Sequence, residues 1–382
     1  MDIVISVESF DPEKGYLEYY LAKELARLNH NVTIFSFKRG RKLSESMLDN
    51  FHVVYIPSLT NIHSYSFFGL RERSVLIKII KEASPEVIHC QPLFSPLSLF
   101  LMNCQKSVDY KIVGSLISQE PSLNSLINEI EYSFVKNLVK RYIKKRTELF
   151  FAKTDALRKM LVLSFGIPFQ KTCVIPLGAD PELFRFSVIA RKRVRTQLGL
   201  SDEDVVVIYS GKIIPSKDLE VLIAALAPII KQDRKVKLLI VGEGKACYTT
   251  HLKELLSNLK VSNNIIFHHW VHRTKLPGFY SASDIGVWPG VSSISIVEAA
   301  SIGLPIIMAK SPIEIYAIEN ENGFAFERGN VNELREYLRI LIYNEEIRKE
   351  MGRRSRLLVE RKLNWRSIAI QHLDAYKHAL QL

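Results

Sequence analysis

Val205-Val206-Val207-Ile208-Tyr209-Ser210-Gly211-Lys212-Ile213-Ile214-Pro215-Ser216-Lys217-Asp218 is the stretch that decides the fold. A short apolar run, the length of a strand buried on both faces, turns at a glycine. The next segment sets Leu219, Leu222, Ile223, Leu226, Ile229 and Ile230 at helical spacing. A strand passing into a helix through so short a loop is half of a βαβ unit, the building block of parallel sheets. The alternation continues on both sides. Downstream lie the strand candidates Lys237–Val241, Ile265–Phe267, Ile285–Trp288 and Pro305–Met308. Upstream lie Ile3–Val7, Val32–Phe37, Val53–Ile56, Val87–Cys90, Lys111–Leu116, Leu149–Ala152 and Cys173–Ile175, with helix-like Tyr16–Leu28 and Arg73–Lys81 among them. The rhythm pauses over the polar stretch Pro181–Ser201, rich in Arg185, Arg191, Lys192, Arg193 and Arg195. The expected architecture is α/β: two doubly wound, Rossmann-like domains, 1–187 and 188–364, joined near residue 187. Such domains facing each other form a cleft at the carboxyl ends of their strands.

Composition agrees with this class. The chain has 382 residues, 47% hydrophobic and 24% charged, with Gly 17 and Pro 15, which excludes collagenous and disordered classes. No apolar run approaches the ~18 residues of a membrane-spanning helix. The opening Met1-Asp2-Ile3-Val4-Ile5-Ser6 lacks a basic leader and reads as a strand, so a cytoplasmic protein is expected. Cys90, Cys104, Cys173 and Cys247 form no CxxC pair and read as core residues in a reducing compartment, without a zinc site or disulfide framework. The formal charge is +12, and Lys136 to Lys159 holds nine basic residues against Glu148 and Asp155. An anionic partner is implied.

Three segments carry candidate chemistry in the second half. Gly211 lets the chain approach a ligand closely, and Lys212 and Lys217 flank a helix start whose N–H groups favour anions. The loop is not a Walker A motif, and a solvated turn with two surface lysines is the competing reading. Val241-Gly242-Glu243-Gly244 closes the next strand, but Cys247 replaces the third glycine of a dinucleotide loop, which argues against hydride transfer. The most informative segment is Asp284-Ile285-Gly286-Val287-Trp288-Pro289-Gly290-Val291-Ser292-Ser293-Ile294-Ser295-Ile296-Val297-Glu298, running on to Gly303-Leu304-Pro305. A strand enters a Pro-Gly-Ser loop and then a helix for which Ser292, Ser293 and Ser295 are N-cap candidates. Glu298 sits among alanines and apolar residues, so its carboxylate needs partners: sugar or ribose hydroxyls, or a buried cation.

In the first half, Val135, Leu138, Val139, Tyr142 and Ile143 recur at helical spacing opposite Lys136, Lys140, Lys144 and Lys145. Phe67-Phe68-Gly69-Leu70-Arg71-Glu72-Arg73 mixes aromatics with arginines. Together, Phe67–Arg73 and Lys136–Lys159 suggest an interfacial patch for anionic lipid heads. An ordinary helix with a solvated lysine face is the alternative. No recognition helix or stacking platform accompanies the charge, so nucleic acid is not expected.

Taken in order, these motifs resemble the group 1 (family 4) retaining glycosyltransferases of the GT-B fold. The resemblance also takes in Ala152-Lys153-Thr154-Asp155, Phe165-Gly166-Ile167-Pro168, Val174 to Phe184, Asn322-Gly323 and Trp365. It implies an acceptor-binding first domain, completed by the C-terminal helix 365–382, and a second domain that holds a nucleoside-diphosphate sugar. Lys212 and Lys217 would grip the diphosphate and Glu298 the donor ribose. The loop Ser293-Ile294-Ser295 would offer N–H groups to the outer phosphate, and the base would rest near Gly242 and Val271. Gly15, within Lys14-Gly15-Tyr16, resembles the family's phosphate-covering glycine loop. The implied activity is transfer of a sugar to an acceptor hydroxyl with retention, without a metal or other cofactor; a lipid-linked or glycan acceptor fits the basic patch, and a peripheral place on the membrane follows.

Three departures stand out. Gly290 occupies the place of the first glutamate of the family's E-x7-E motif, which helps hold the donor sugar. The paired-glycine loop is reduced to Gly15. A histidine common after the strand Lys111–Leu116 is absent, leaving Ser118 and Gln119 there, while His89 matches another family histidine that faces the cleft. These departures leave open a non-catalytic or partner-dependent sugar-nucleotide binder, or a GT-B relative doing epimerisation or phosphorolysis.

Overall fold

The computed structural model describes residues 1–13, 17–38, 42–62, 65–116, 133, 135–291, 293–310, 318 and 321–382. They divide into Met1–Pro176 with Trp365–Leu382, and Leu177–Asn364. The first unit carries β1 (Asp2–Ser9), α1 (Leu17–Arg27), β2 (Asn31–Lys38), β3 (Ser44–Leu48), β4 (Phe51–Pro57), the hairpin β5 (Thr60–Ile62) and β6 (Tyr65–Phe67), and α2 (Leu70–Ala83). There follow β7 (Val87–Gln91), α3 (Pro96–Cys104), β8 (Lys111–Gly114), β9 (Leu149–Ala152), α4 (Asp155–Phe165) and β10 (Thr172–Val174). The main sheet runs β10-β9-β8-β7-β1-β2-β4-β3, parallel throughout except for the antiparallel edge strand β3. Val87 to Cys90 and all of β9 are buried on both faces, as a helix-covered parallel sheet requires. One cover is the C-terminal helix Trp365–Gln381, whose Trp365 stacks on Tyr20 of α1 with ring centres 5.2 Å apart.

The second unit continues with α5 (Val188–Leu198), β11 (Val205–Ser210), α6 (Leu219–Gln232), β12 (Val236–Val241), α7 (Ala246–Asn258), β13 (Ile265–His268), α8 (Leu276–Ala282), β14 (Ile285–Trp288) and α9 (Ser295–Ile302). It ends with β15 (Ile306–Ala309), β16 (Gly323–Phe326), α10 (Val331–Tyr343) and α11 (Glu345–Arg361). Its sheet is parallel, in the order β13-β12-β11-β14-β15-β16.

The division falls after Pro176, earlier than residue 187, because the intervening residues are fastened inside the second unit. The Arg356 guanidinium donates to the carbonyls of Pro181, Phe184 and Ser301 at 2.7–3.0 Å, and Phe184 is wholly buried. The stretch read as a polar pause is the helix α5. Arg193 is exposed, but two other arginines face inward: Arg195 is 2% exposed, and Arg191 and Arg195 hold the two oxygens of Asp284 at 2.9 and 2.8 Å. Asp284 also accepts from the Val206 N–H, so it ties α5, β11 and β14 together.

Candidate active site

The winding of the second sheet reverses beside β11. β12 and β13 lie on one side of it and β14, β15 and β16 on the other. At such a reversal, the loops leaving the carboxyl ends of neighbouring strands diverge and open a crevice. The second-unit residues expected to hold the donor follow the strands on this edge. Gly211, Lys212 and Lys217 follow β11, Gly242 follows β12, Val271 follows β13, Gly290 to Ser295 follow β14, and Glu298 lies in the first turn of α9.

The loops are held together by their own backbones. Gly211 N–H donates to Val241 O at 3.0 Å, Ile213 N–H to Glu243 O at 2.8 Å, and Gly242 N–H to His268 O at 2.9 Å. A Cβ on Gly242 would stand 1.8 Å from Gly211 O, and one on Gly244 1.8 Å from Ile213 O. The GxG pair thus answers to contact between adjacent strand ends and needs no nucleotide to explain it. The Tyr209 hydroxyl donates to Lys212 O at 2.8 Å, pinning the turn from which the exposed Lys212 side chain projects.

Lys217 is buried, and its ammonium donates to the carbonyl of Val291 at 2.5 Å. In return, Val291 N–H donates to Ser216 O at 3.0 Å. The β11 and β14 loops are therefore closed against each other, and Gly290 lies at the point of contact. A Cβ there would come within 2.5 Å of Ser216 O and 2.7 Å of the Lys217 Cα. The missing family glutamate is thus more than a lost carboxylate: this backbone path has no room for any side chain at 290.

Helix α9 begins at Ser295 behind Ile294, and no serine side chain caps it, contrary to the capping expected of Ser293 and Ser295. Their hydroxyls have other work. Ser295 Oγ donates to Ser210 O at 2.9 Å and accepts from Trp288 Nε1 at 3.0 Å, while Ser293 Oγ pairs with Ser295 Oγ. The N–H groups of Ser293 and Ile294 meet no acceptor among the described residues. That leaves donors beside Lys217 suited to an anion. Ser292 lies outside the described residues.

Glu298 is buried and ion-paired with Arg273, Oε1 to Nη2, at 2.8 Å. Burial pushes its carboxyl above the usual range and the guanidinium draws it part of the way back. Arg273 also lies over the Phe184 ring, 5.2 Å from its centre. Sequence reasoning missed Arg273. Its signal was a carboxylate in an apolar helix turn, which demands a cation, and an arginine two residues beyond the already noted Val271. Val271 itself packs, half-buried, against the core.

In the first unit His89 does not stand on an open face. It is 1% exposed within β7, bonded through Nδ1 to the Tyr376 hydroxyl at 2.8 Å, with its ring 5.5 Å from that of His372 and 5.1 Å from that of Phe151. Its role here is to seat the C-terminal helix on the sheet. Gly15, Ser118 and Gln119 lie outside the described residues.

Within the basic segment, Val139–Ile143 forms a π-helical turn with Val139 and Ile143 buried, while Lys140, Arg141 and Lys145 are exposed. Lys144 donates to Gly166 O at 2.6 Å, which brings the end of α4 alongside. Near that junction Leu163 is 82% exposed and Phe169 57% exposed, with Arg158 over the Phe169 ring at 4.5 Å. Exposed basic and apolar residues therefore flank the junction that Lys144 makes with Gly166. Among the described residues no group of three or more His, Cys, Asp or Glu is placed to hold a metal ion, and no helix is long and apolar enough to cross a membrane.

Two family models match the chain, one to each unit. Residues 18–183 match glycosyltransferase family 4 and residues 190–358 match glycosyl transferases group 1. The chain belongs to this glycosyltransferase family, and its two Rossmann-like units are those of the GT-B fold. Among its relatives, an alpha-monoglucosyldiacylglycerol synthase of Streptococcus pneumoniae is 24% identical over 76% of this chain and 66% of its own length, so part of that relative has no counterpart in the match. A GDP-mannose-dependent alpha-(1-6)-phosphatidylinositol monomannoside mannosyltransferase of Mycobacterium tuberculosis is 22% identical over 97% of both chains. The Anabaena protein HepE, solved with UDP and glucose, shares the fold with a TM-score of 0.77 at 18% identity, over 99% of each chain.

Proposed function

We propose that this protein is a hexosyltransferase that moves a sugar from a nucleoside-diphosphate sugar to an acceptor hydroxyl with retention of anomeric configuration, and that it needs no metal. The observation that carries this reading is the edge at β11 and β14, where the loops bearing Lys212 and Lys217 adjoin a helix start whose Ser293 and Ile294 N–H groups meet no acceptor among the described residues. The hard step is departure of an anionic diphosphate from a carbon gaining oxocarbenium character. Lys212, Lys217 and the N–H groups at Ser293 and Ile294 supply fixed positive potential where that charge grows, which is worth several kcal/mol. The acceptor oxygen bonds to the anomeric carbon as the bond to the diphosphate oxygen breaks, and the leaving phosphate takes the hydroxyl proton. Glu298, oriented by Arg273, faces the ribose, with the base near Gly242 and Val271. Relatives named as an alpha-monoglucosyldiacylglycerol synthase and a phosphatidylinositol monomannoside mannosyltransferase support a lipid-linked or glycan acceptor.

A thermal-shift screen of UDP-, GDP- and ADP-sugars tests the donor site. A donor at a hundredfold excess over its Kd adds about 2.7 kcal/mol of stability. No shift with any of them overturns the reading. Nuclear magnetic resonance of the product decides retention, and full turnover in the presence of a chelator decides metal independence.

Gly290 favours one alternative, a sugar-nucleotide binder that turns over only with a partner, because no carboxylate can stand there. That protein would bind donor and neither hydrolyse nor transfer it.

The basic surface around Lys140, Arg141, Lys145, Leu163 and Phe169 fits the cytoplasmic face of a membrane, each nearby cation adding about 1 kcal/mol. Co-sedimentation should require anionic vesicles and weaken with salt. Equal pelleting with neutral vesicles removes the membrane from the proposal.

A further inference from the structure

The turn that carries Lys217 is also held from the side away from Val291. Pro215–Lys217 is a single 3₁₀ turn, and α6 starts at Leu219, directly behind Asp218. Asp218 has φ +50° and ψ +41°, the left-handed backbone that glycine adopts without strain and other residues resist. An aspartate before a helix ordinarily turns its carboxylate onto the first N–H groups. Here it makes no such cap. Both of its oxygens go to the guanidinium of Arg328, with Nε donating to Oδ2 at 2.5 Å and Nη2 to Oδ1 at 3.1 Å. A carboxylate is thus kept where the backbone favours glycine, and what it gains is the two-pronged contact that arginine makes with carboxylates.

Arg328 arrives from the loop after β16, and β14 and β15 stand between that strand and β11. Loops from strands so far apart meet because α6 and α10 pack side by side. Arg335 and Arg339 of α10 bond further along α6, to Ala225 O at 3.4 Å and to the Gln232 side chain at 3.1 Å. Arg328 closes the same seam at its start.

The guanidinium also reaches past Asp218. Its Nη2 donates to Ser216 O at 3.3 Å, the carbonyl that accepts from Val291 N–H. The residues on either side of Lys217 are therefore both tied to Arg328. Lysine meets an anion at the end of a long, flexible stem, and fixing the backbone around it removes freedom that binding would otherwise have to take away. The second effect is charge. Asp218 adjoins Lys217 in the chain, and a bare carboxylate there would repel the anion that the lysine attracts; the guanidinium cancels it.

We infer that Arg328 is a positioning residue for the transfer: it holds the turn from Ser216 to Asp218 so that Lys217 meets the leaving diphosphate, and it masks the Asp218 charge. Arg328 acts through these neighbours and not on the diphosphate itself. The inference rests on the assignment of Lys217 to the diphosphate in the proposed function.

Titration calorimetry of the full chain with UDP, GDP and ADP, beside the unfolding temperature of each variant, tests it. Wild type binds at least one of the three. Arg328→Ala leaves Asp218 bare and weakens that nucleotide by about tenfold at low salt, the size of one like charge set near the anion. Part of the loss disappears at high salt. Arg328→Lys keeps the charge without the fork and loses about threefold. Asp218→Gly combined with Arg328→Ala leaves the net charge unchanged and gives the left-handed turn its preferred residue, so its unfolding temperature stays close to that of wild type. Its affinity remains about threefold lower at every salt concentration, because the turn is no longer tied. A latch that served only the start of α6 would return the affinity together with the stability. A double variant as stable as wild type that binds as tightly therefore overturns the inference, as does an unimpaired Arg328→Ala. Should Arg328→Ala fail to fold, the double variant and Arg328→Lys still decide. A wild type that binds none of the three nucleotides removes the donor site and this inference with it, whereas binding by wild type with unchanged affinity in the variants removes Arg328 alone.

Discussion

The carboxyl edges of the two sheets are built on opposite terms. In the second unit the loops after β11 and β14 are closed on each other by backbone contact at Gly290 and by the Lys217 ammonium on Val291 O, with the Lys212 side chain exposed beside them. In the first unit β1, β2 and β4 are paired to their ends, and a cavity lined by carboxylates, aromatic rings and Lys38 opens beyond them. A rigid seat with fixed positive potential suits an anion whose charge grows during reaction, since nothing has to reorganise. One fold used twice thus carries differently charged linings at its two sets of strand ends, among the described residues.

The contrast can be broken first at the buried pair beneath the lysine edge. Arg273→Met leaves the Glu298 carboxylate buried without its guanidinium, at a cost of about 3 kcal/mol, or roughly 6–12 °C in unfolding temperature. Adding Glu298→Gln should recover much of that loss. A single variant as stable as wild type would show that the pair does not secure α9.

Next in size is the charge itself. Lys217→Ala should lower kcat/KM by about 100-fold, near 2.7 kcal/mol, through the lost contact with the leaving group and the loosened Val291 loop. Lys217→Arg should restore part of the rate. If turnover with an identified donor and acceptor is unchanged in the alanine variant, Lys217 leaves the site.

Gly290→Ala sharpens the meaning of the departure from the family pattern. Its Cβ meets the 216–217 backbone, so overpacking of about 1–3 kcal/mol is expected, with no gain in turnover. Gly290→Glu, which restores the family residue, should do worse on both counts. Any rise in rate would mean that the loops can part to admit a side chain.

Legibility in the sequence divided along the same line. The interior strands were plain because a parallel strand covered on both faces is a continuous apolar run, as in Val205–Tyr209. β3 was invisible because Ser44–Leu48 is a polar, exposed antiparallel edge. α5 read as a linker because arginine normally marks a surface, whereas Arg191 and Arg195 turn inward to Asp284. On the lysine edge, the residues of each loop are contiguous, so a motif could be recognised. The first-unit cavity draws Glu8, Lys38, Tyr55 and Ser66 from four separate strands, and no local pattern joins them. Gly290 could be read as an absence, but the backbone contact that explains it exists only in three dimensions.

The last expected effect lies in the first unit, behind its sheet, and is spread over pH. Burial holds His372 down to about 4 and His89 well below its usual 6.5, and neither ring has a carboxylate partner among the described residues. Both are therefore neutral in the folded protein at pH 7, while the unfolded chain takes up their protons near 6.5. Proton uptake by the unfolded state favours unfolding as pH falls. The stability that His372 permits is thus complete above about 6.5 and declines between there and about 4, by up to about 1.4 kcal/mol per pH unit, and His89 adds a loss of the same sign as pH falls below 6.5. Unfolding temperatures recorded from pH 8 to pH 5 should fall through that window. His372→Phe, which keeps a ring against Phe151 and Tyr376 and removes one proton site, should flatten the slope. An unchanged slope would mean that acid opens the molecule elsewhere, and that the seat of the C-terminal helix holds while other carboxylate-bearing regions give way.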